Sequence, residues 1–121
     1  MKAIAQEYHR LRRGNCAQSV AFAWNTKHPG AGATEAAFAG CGGGRAPGGL
    51  CGALHAACEL GGADAAETIK RGFAGETGGK LTCKEIRAAK TLTCNACVGL
   101  ASDLLEKCSK EKEWANRSSR R

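Results

Sequence analysis

Leu50-Cys51-Gly52-Ala53-Leu54-His55-Ala56-Ala57-Cys58-Glu59-Leu60 is the stretch on which the fold turns. Small or apolar side chains run almost all the way round it. A helix that is apolar on every side is a buried, central one. Working outward, every segment with a clear period is helical. Ala3 to Arg12 sets Ile4, Tyr8 and Leu11 on one face, the i, i+4, i+7 signature. Gly14 breaks that helix, and Asn15 is a good N-cap for a second, Cys16 to about Lys27. Thr34 and Glu35 start a short third helix through Phe38. Between it and the central helix, Gly40 to Gly49 holds six glycines in ten residues and reads as loop. Asp64 is expected to cap a helix to about Phe73, closed by Gly75, Gly78 and Gly79. Thr82-Cys83-Lys84-Glu85 is a capping box opening a short helix. Thr93 caps the last, Cys94 to about Trp114, whose inner stripe is Cys94, Cys97, Val98, Ala101, Leu104, Leu105 and Cys108. The expectation is an all-α fold: a single small domain of about six or seven helices with a Gly-rich loop, residues 1–114, followed by a basic tail, 115–121. No internal repeat and no convincing strand is present.

The material for a core is thin. Of 121 residues, 23 are alanine and 8 cysteine, while Leu, Ile, Val and Phe together number only 17. Small domains short of core commonly use disulfides or metals as staples. Met1 to Arg13 lacks the apolar region of a secretory signal. A cytoplasmic, reducing setting is therefore expected, where eight cysteines favour metal or redox chemistry over structural disulfides. No apolar run approaches the ~18 residues of a membrane span. The net charge of +7 sits largely at the ends, in Arg10, Arg12, Arg13 and the basic residues from Lys107 to Arg121. With six aromatics and no interleaved patch, this charge reads as solvated helix face and tail, with no nucleic-acid partner.

The cysteines carry the chemistry. Cys16, Cys83 and Cys94 each follow an expected N-cap, and Cys51 opens the central helix straight after the glycine loop. Free N–H groups and the positive end of the helix dipole favour thiolate over thiol there. The competing account is that cysteine is simply a small buried hydrophobe; it suits Cys58 and Cys108 on their helix stripes better than four cysteines at helix starts. Cys94-Asn95-Ala96-Cys97 is a CxxC, which leaves Cys97 open between site and core. Val98 stands where attached haem needs histidine, no strand precedes the motif as in thioredoxins, and no second CxxC completes a zinc ribbon. Gly42, Gly43 and Gly44 read either as a flexible linker or as a backbone cradle offering N–H groups to an anion or to cluster sulfur. The phosphate loop GxxxxGK[ST] is not matched. His55, four residues after Cys51, is a minor candidate, and no hydrolytic triad or carboxylate pair stands out.

Asn15-Cys16-Ala17-Gln18-Ser19-Val20, Gly42-Gly43-Gly44 leading to Cys51-Gly52-Ala53, Leu81-Thr82-Cys83, and Cys94 four residues before Val98 together resemble the C_GCAxxG_C_C family of redox-active proteins. The likeness spans about residues 8 to 106, and Ala56 stands where the family motif has its last glycine. It implies an all-helical fold similar to the iron–sulfur domain of split-Soret cytochromes. It also implies Cys16, Cys51, Cys83 and Cys94 as the defining cysteines, with Cys41, Cys58, Cys97 and Cys108 outside the pattern. The expected function is that of a small redox protein. Those four cysteines would hold an iron–sulfur cluster, most simply 2Fe–2S, for electron transfer to a partner protein or for redox sensing. Two alternatives stand beside it: a metal-free thiol–disulfide protein, and a zinc-stapled helical interaction module. Alanine-rich helix faces also allow a homodimer.

Overall fold

Helix starts, more than helix interiors, decide how this chain folds. The computed structural model describes residues 1–27, 38–42, 45–90 and 92–119, and of residues 64 and 109–119 the backbone alone. Among the described residues there are six α-helices: α1 (Lys2–Arg10), α2 (Cys16–Lys27), α3 (Gly52–Gly61), α4 (Ala63–Thr77), α5 (Cys83–Ala89) and α6 (Cys94–Ser119). The fold is all-α, as the periodicity predicts. The only β pairing among these residues is an isolated antiparallel bridge between Leu50 and Thr82.

The apolar stretch is the centre of the molecule. In α3, Ala53, Leu54, Ala56 and Ala57 are fully buried, and this helix packs on α2, α4 and α6. Alanine and glycine let the axes come close. A methyl group added at Gly72 of α4 would stand 2.5 Å from Leu104 Cδ2 of α6. At the other end, Tyr8 of α1 stacks on Phe22 of α2 with ring centroids 4.6 Å apart. The Arg13 guanidinium lies 5.8 and 5.9 Å from the two ring centres. One residue of the basic N-terminal cluster is thus a clamp between α1 and α2.

Some boundaries differ from the sequence reading. α3 starts at Gly52, not Leu50, because Leu50 is held extended against Thr82 and the Cys51 N–H donates to the Leu81 carbonyl at 2.9 Å. Cys51 is therefore the N-cap residue itself. Asp64 does not cap α4. Gly62, at φ +84°, takes that position, and α4 passes through Gly75 to end at Gly78, whose left-handed φ of +68° stops it. α6 runs beyond Trp114 to Ser119, since no glycine or proline interrupts Ser109–Ser119; part of the segment read as tail is helical. The short helix expected from Thr34 falls, except for Phe38, outside the described residues. In the glycine loop, Pro47–Gly49 forms one 3-10 turn. No helix among the described residues is long and apolar enough to cross a membrane.

Candidate functional site

Three caps place three sulfurs. Asn15 Oδ1 accepts from the Gln18 N–H at 2.8 Å while Gln18 Oε1 accepts from the Asn15 N–H at 2.9 Å. This reciprocal box makes Cys16 the first residue of α2. Thr82 Oγ1 accepts from the Glu85 N–H at 3.2 Å and donates to Glu85 Oε1 at 2.7 Å, so Cys83 opens α5. Thr93 Oγ1 accepts from the Ala96 N–H at 3.1 Å, so Cys94 opens α6. Cys51 is placed differently. The Leu50–Thr82 bridge and the Cys51 N–H bond to Leu81 tie the start of α3 to the start of α5. Sequence neighbours of Cys51 and Cys83 are thereby paired, and the two sulfurs come to one place.

That place is a cavity of about 30 Å³ lined by Cys16, Cys51, Cys83, Cys94 and Cys97. Gly52, Ile86 and Leu92 complete its wall, and Arg87 is the one charged residue on it. Cys51 and Cys97 are buried, and the other three thiols are half-buried. Gly52 is where the wall is tightest: a Cβ there would lie 2.5 Å from the Cys41 carbonyl oxygen and 2.6 Å from Cys16 Sγ. Only glycine lets α2 and the segment at Cys41 close over the start of α3.

The electrostatics correct one expectation. Helix starts were to favour thiolate, yet burial raises the Cys16 thiol above its ordinary pKa. Cys51 and Cys94 add to that rise, and the N–H groups of Ala17 and Ala53 oppose it only partly. Burial likewise raises Cys83, opposed by Arg87 and reinforced by Cys94 and Cys51. Cys51 alone goes the other way, lowered to about 7 by a hydrogen bond with Cys97, against burial and with help from the N–H groups of Leu54 and Ala53. Cys97 is raised as its partner in that bond. The physical reason is burial first: taking a thiolate out of water costs more than the half-charge of the helix dipole returns, and neighbouring sulfurs add to that cost. At the cavity's rim, exposed Arg87 donates from Nη2 to Cys94 Sγ at 3.8 Å.

All four cysteines singled out from the sequence therefore line one cavity, joined by Cys97. Arg87 and Cys97 were not read as site residues. The signals available were the spacing of Arg87 four residues after Cys83, one face of a helix, and the CxxC of Cys97. Of the three glycines read as a cradle, Gly42 does not line the cavity. Gly42 packs against Asn15, where an added Cβ would meet Asn15 Cβ at 2.7 Å, and Gly43 and Gly44 lie outside the described residues. Asn15 Nδ2 donates to the carbonyls of Phe38 and Ala39 at 3.1 and 2.9 Å, so the segment before the glycines is pinned to the start of α2. Cys58 donates to the Ala66 carbonyl at 3.8 Å and shares a separate groove with His55, which takes His55 away from the site. Cys41 and Cys108 pack against the core.

Among the described residues, no group of three or more His, Cys, Asp or Glu side chains converges closely enough to hold a metal ion. The thiols surround the cavity without meeting at a point. Thiolate is nonetheless the ligand chemistry of zinc and of iron–sulfur centres, and a cationic centre relieves the mutual repulsion of these sulfurs. No family model, no curated protein and no solved structure matches this chain, so the family resemblance rests on the motif residues alone.

Proposed function

We propose that this protein is a small redox protein whose centre is an iron–sulfur cluster, 2Fe–2S, held by Cys16, Cys51, Cys83 and Cys94. The observation that carries the reading is the gathering of four thiols, from the starts of four different helices, around one cavity. When bound, the cluster supplies one-electron chemistry. The chain's own residues supply the rest. Ile86 and Leu92 keep water from the wall, and Arg87 holds a positive charge at Cys94 Sγ that favours the more negative, reduced state. A partner redox protein and a reducing compartment belong to the same proposal.

The test is anaerobic reconstitution with iron and sulfide. The protein is expected to turn brown with visible charge-transfer bands. Cys83→Ser is expected to abolish them, and Cys108→Ser to leave them. Protein that stays colourless and iron-free overturns the cluster, and stoichiometric zinc without colour replaces it with a zinc staple. A metal-free thiol–disulfide role has one specific observation in its favour, Cys97 lining the same cavity as Cys51. Colourless protein whose thiol count changes with redox poise would establish that role.

A further inference from the structure

Charge is spread unevenly along this chain. Residues 1–27 and 81–102 hold eight of the 18 basic residues and only two of the 11 acidic ones, Glu7 and Glu85. These are the segments that bring Cys16, Cys83 and Cys94 to the cavity, so nearly all of the +7 net charge lies on the chain around it. An open groove is lined by His9, Arg10, Arg12, Gly14 and Asn95. Both of its walls run into the thiol site: Gly14 stands two residues before Cys16, and Asn95 follows Cys94 directly. We propose that this basic groove is the docking surface for an acidic face of the redox partner protein.

The walls of the groove are fixed to each other. Asn95 Nδ2 donates to the Gln6 carbonyl at 2.9 Å and lies 3.2 Å from His9 Nδ1, which fastens the start of α6 to the end of α1. The arginines are left facing solvent. Arg10 meets Glu7 at 3.6 Å, but the two side chains are 68% and 65% exposed, and such a surface pair is weak. Arg12 lies past the end of α1 at φ +57°, and no carboxylate among the described residues pairs with it. Leu11, between the two arginines, is 54% exposed, the one large apolar side chain among the described residues left so open. Apolar contact ringed by polar and charged groups is how protein interfaces are composed.

The chemistry of the partner follows from the field. Positive potential gathered on one face speeds the encounter with a negative face and orients it. A short-lived electron-transfer contact needs that: approach with the thiol site foremost, over a small interface. Nucleic acid fits less well, because no ring face is open for base stacking. Tyr8, which a Cβ at Gly14 would meet at 2.8 Å, stacks on Phe22, and Arg13 lies across both rings. That the partner carries electrons rests on the cluster reading. That this surface takes an acidic protein does not.

The experiment titrates the full metal-free chain, at low salt, with a peptide of about twelve Asp and Glu residues, read by amide NMR. Shifts gathered on residues 9–14 and 94–96, fading as salt is raised, are the expected result. Arg12→Glu is expected to weaken binding about tenfold. Arg71→Glu on α4, an exposed site outside the groove with the same change in net charge, is expected to leave it unchanged. Equal weakening by the two variants, shifts spread over the whole surface, or no binding overturns the proposal. Tighter binding of oligothymidylate than of the peptide in the groove overturns it in favour of a nucleic-acid partner. Groove binding by a protein that never takes up a cluster supports the surface and overturns only the cluster. A protein that takes up the cluster and ignores the peptide overturns only the surface.

Discussion

At the scale of single residues, the cavity depends on an absent side chain as much as on five sulfurs. Gly52 opens α3, where alanine would bring a helix propensity gain of at most ~1 kcal/mol. Against that stands a Cβ at 2.5 Å from the Cys41 carbonyl oxygen and 2.6 Å from Cys16 Sγ. The first neighbour is backbone and cannot swing aside. Overpacking of this kind costs about 1–3 kcal/mol, so the clash wins. Gly52→Ala is expected to lower the urea midpoint without changing its slope, and to weaken the visible bands of reconstituted protein, because Cys16 must yield. A variant matching the parent in both would show that the start of α3 is looser than drawn. The same scale explains which site residues were legible. Cys16, Cys83 and Cys94 were readable because an N-cap is a local signal: Asn, Thr and Thr stand one residue before each sulfur. Cys97 and Arg87 were not, because their roles depend on which helix start lies opposite, and spacing within one helix does not encode that.

At the scale of elements, α1 is held to α6 by a polar knot. Gln6 Nε2 donates to the Asn95 carbonyl at 3.2 Å, and Asn95 Nδ2 donates to the Gln6 carbonyl at 2.9 Å and lies 3.2 Å from His9 Nδ1. The Gln6 carbonyl fixes the Asn95 amide as donor, so His9 Nδ1 must accept, which only the neutral imidazole allows. Burial pushes the His9 pKa below its usual value in the same direction. Because the folded pKa is the lower one, the unfolded chain takes the proton first. The stabilisation is complete above the unfolded value of about 6.5 and is lost as pH falls through the folded value. Urea midpoints are expected to drop between pH 7.5 and 5.5, and His9→Gln, which keeps an acceptor, to flatten that part of the slope. Equal slopes in the two proteins would remove His9 from the account. Most helices were legible because glycines and caps punctuate them. The start of α3 was not, since a long-range bridge to Thr82, invisible to local pattern, holds Leu50 out of the helix. The α1–α6 knot was hidden for the same reason: Gln6, His9 and Asn95 are ordinary polar residues until two helix faces meet.

At the scale of the whole molecule, the scarcity of large apolar residues has a definite location. Among the described residues, the fully buried large apolar side chains are Phe73, Leu54, Ile69, Leu105, Val20 and Val98, carried by α2, α3, α4 and α6. None belongs to α5, which places Ile86 inward and packs least on the other helices. What fastens α5 is the Leu50–Thr82 bridge at its start and the cavity wall formed by Cys83, Ile86 and Arg87. A centre bound by Cys83 together with Cys16, Cys51 and Cys94 would cross-link α5 to α2, α3 and α6, supplying the fastening that the core does not. Binding to the folded state alone stabilises by about 2.7 kcal/mol at a hundredfold excess over Kd. For a domain of this size each kcal/mol moves Tm by roughly 3–6 °C. Reconstituted protein is therefore expected to melt at least ~8 °C above the metal-free form. The loss on emptying the site should also be uneven: amides of α5 should gain hydrogen exchange first, while those of α3 keep the protection of the core. Equal melting of the two forms would mean that the cysteines do not staple the fold. A uniform rise in exchange would place the staple somewhere other than α5.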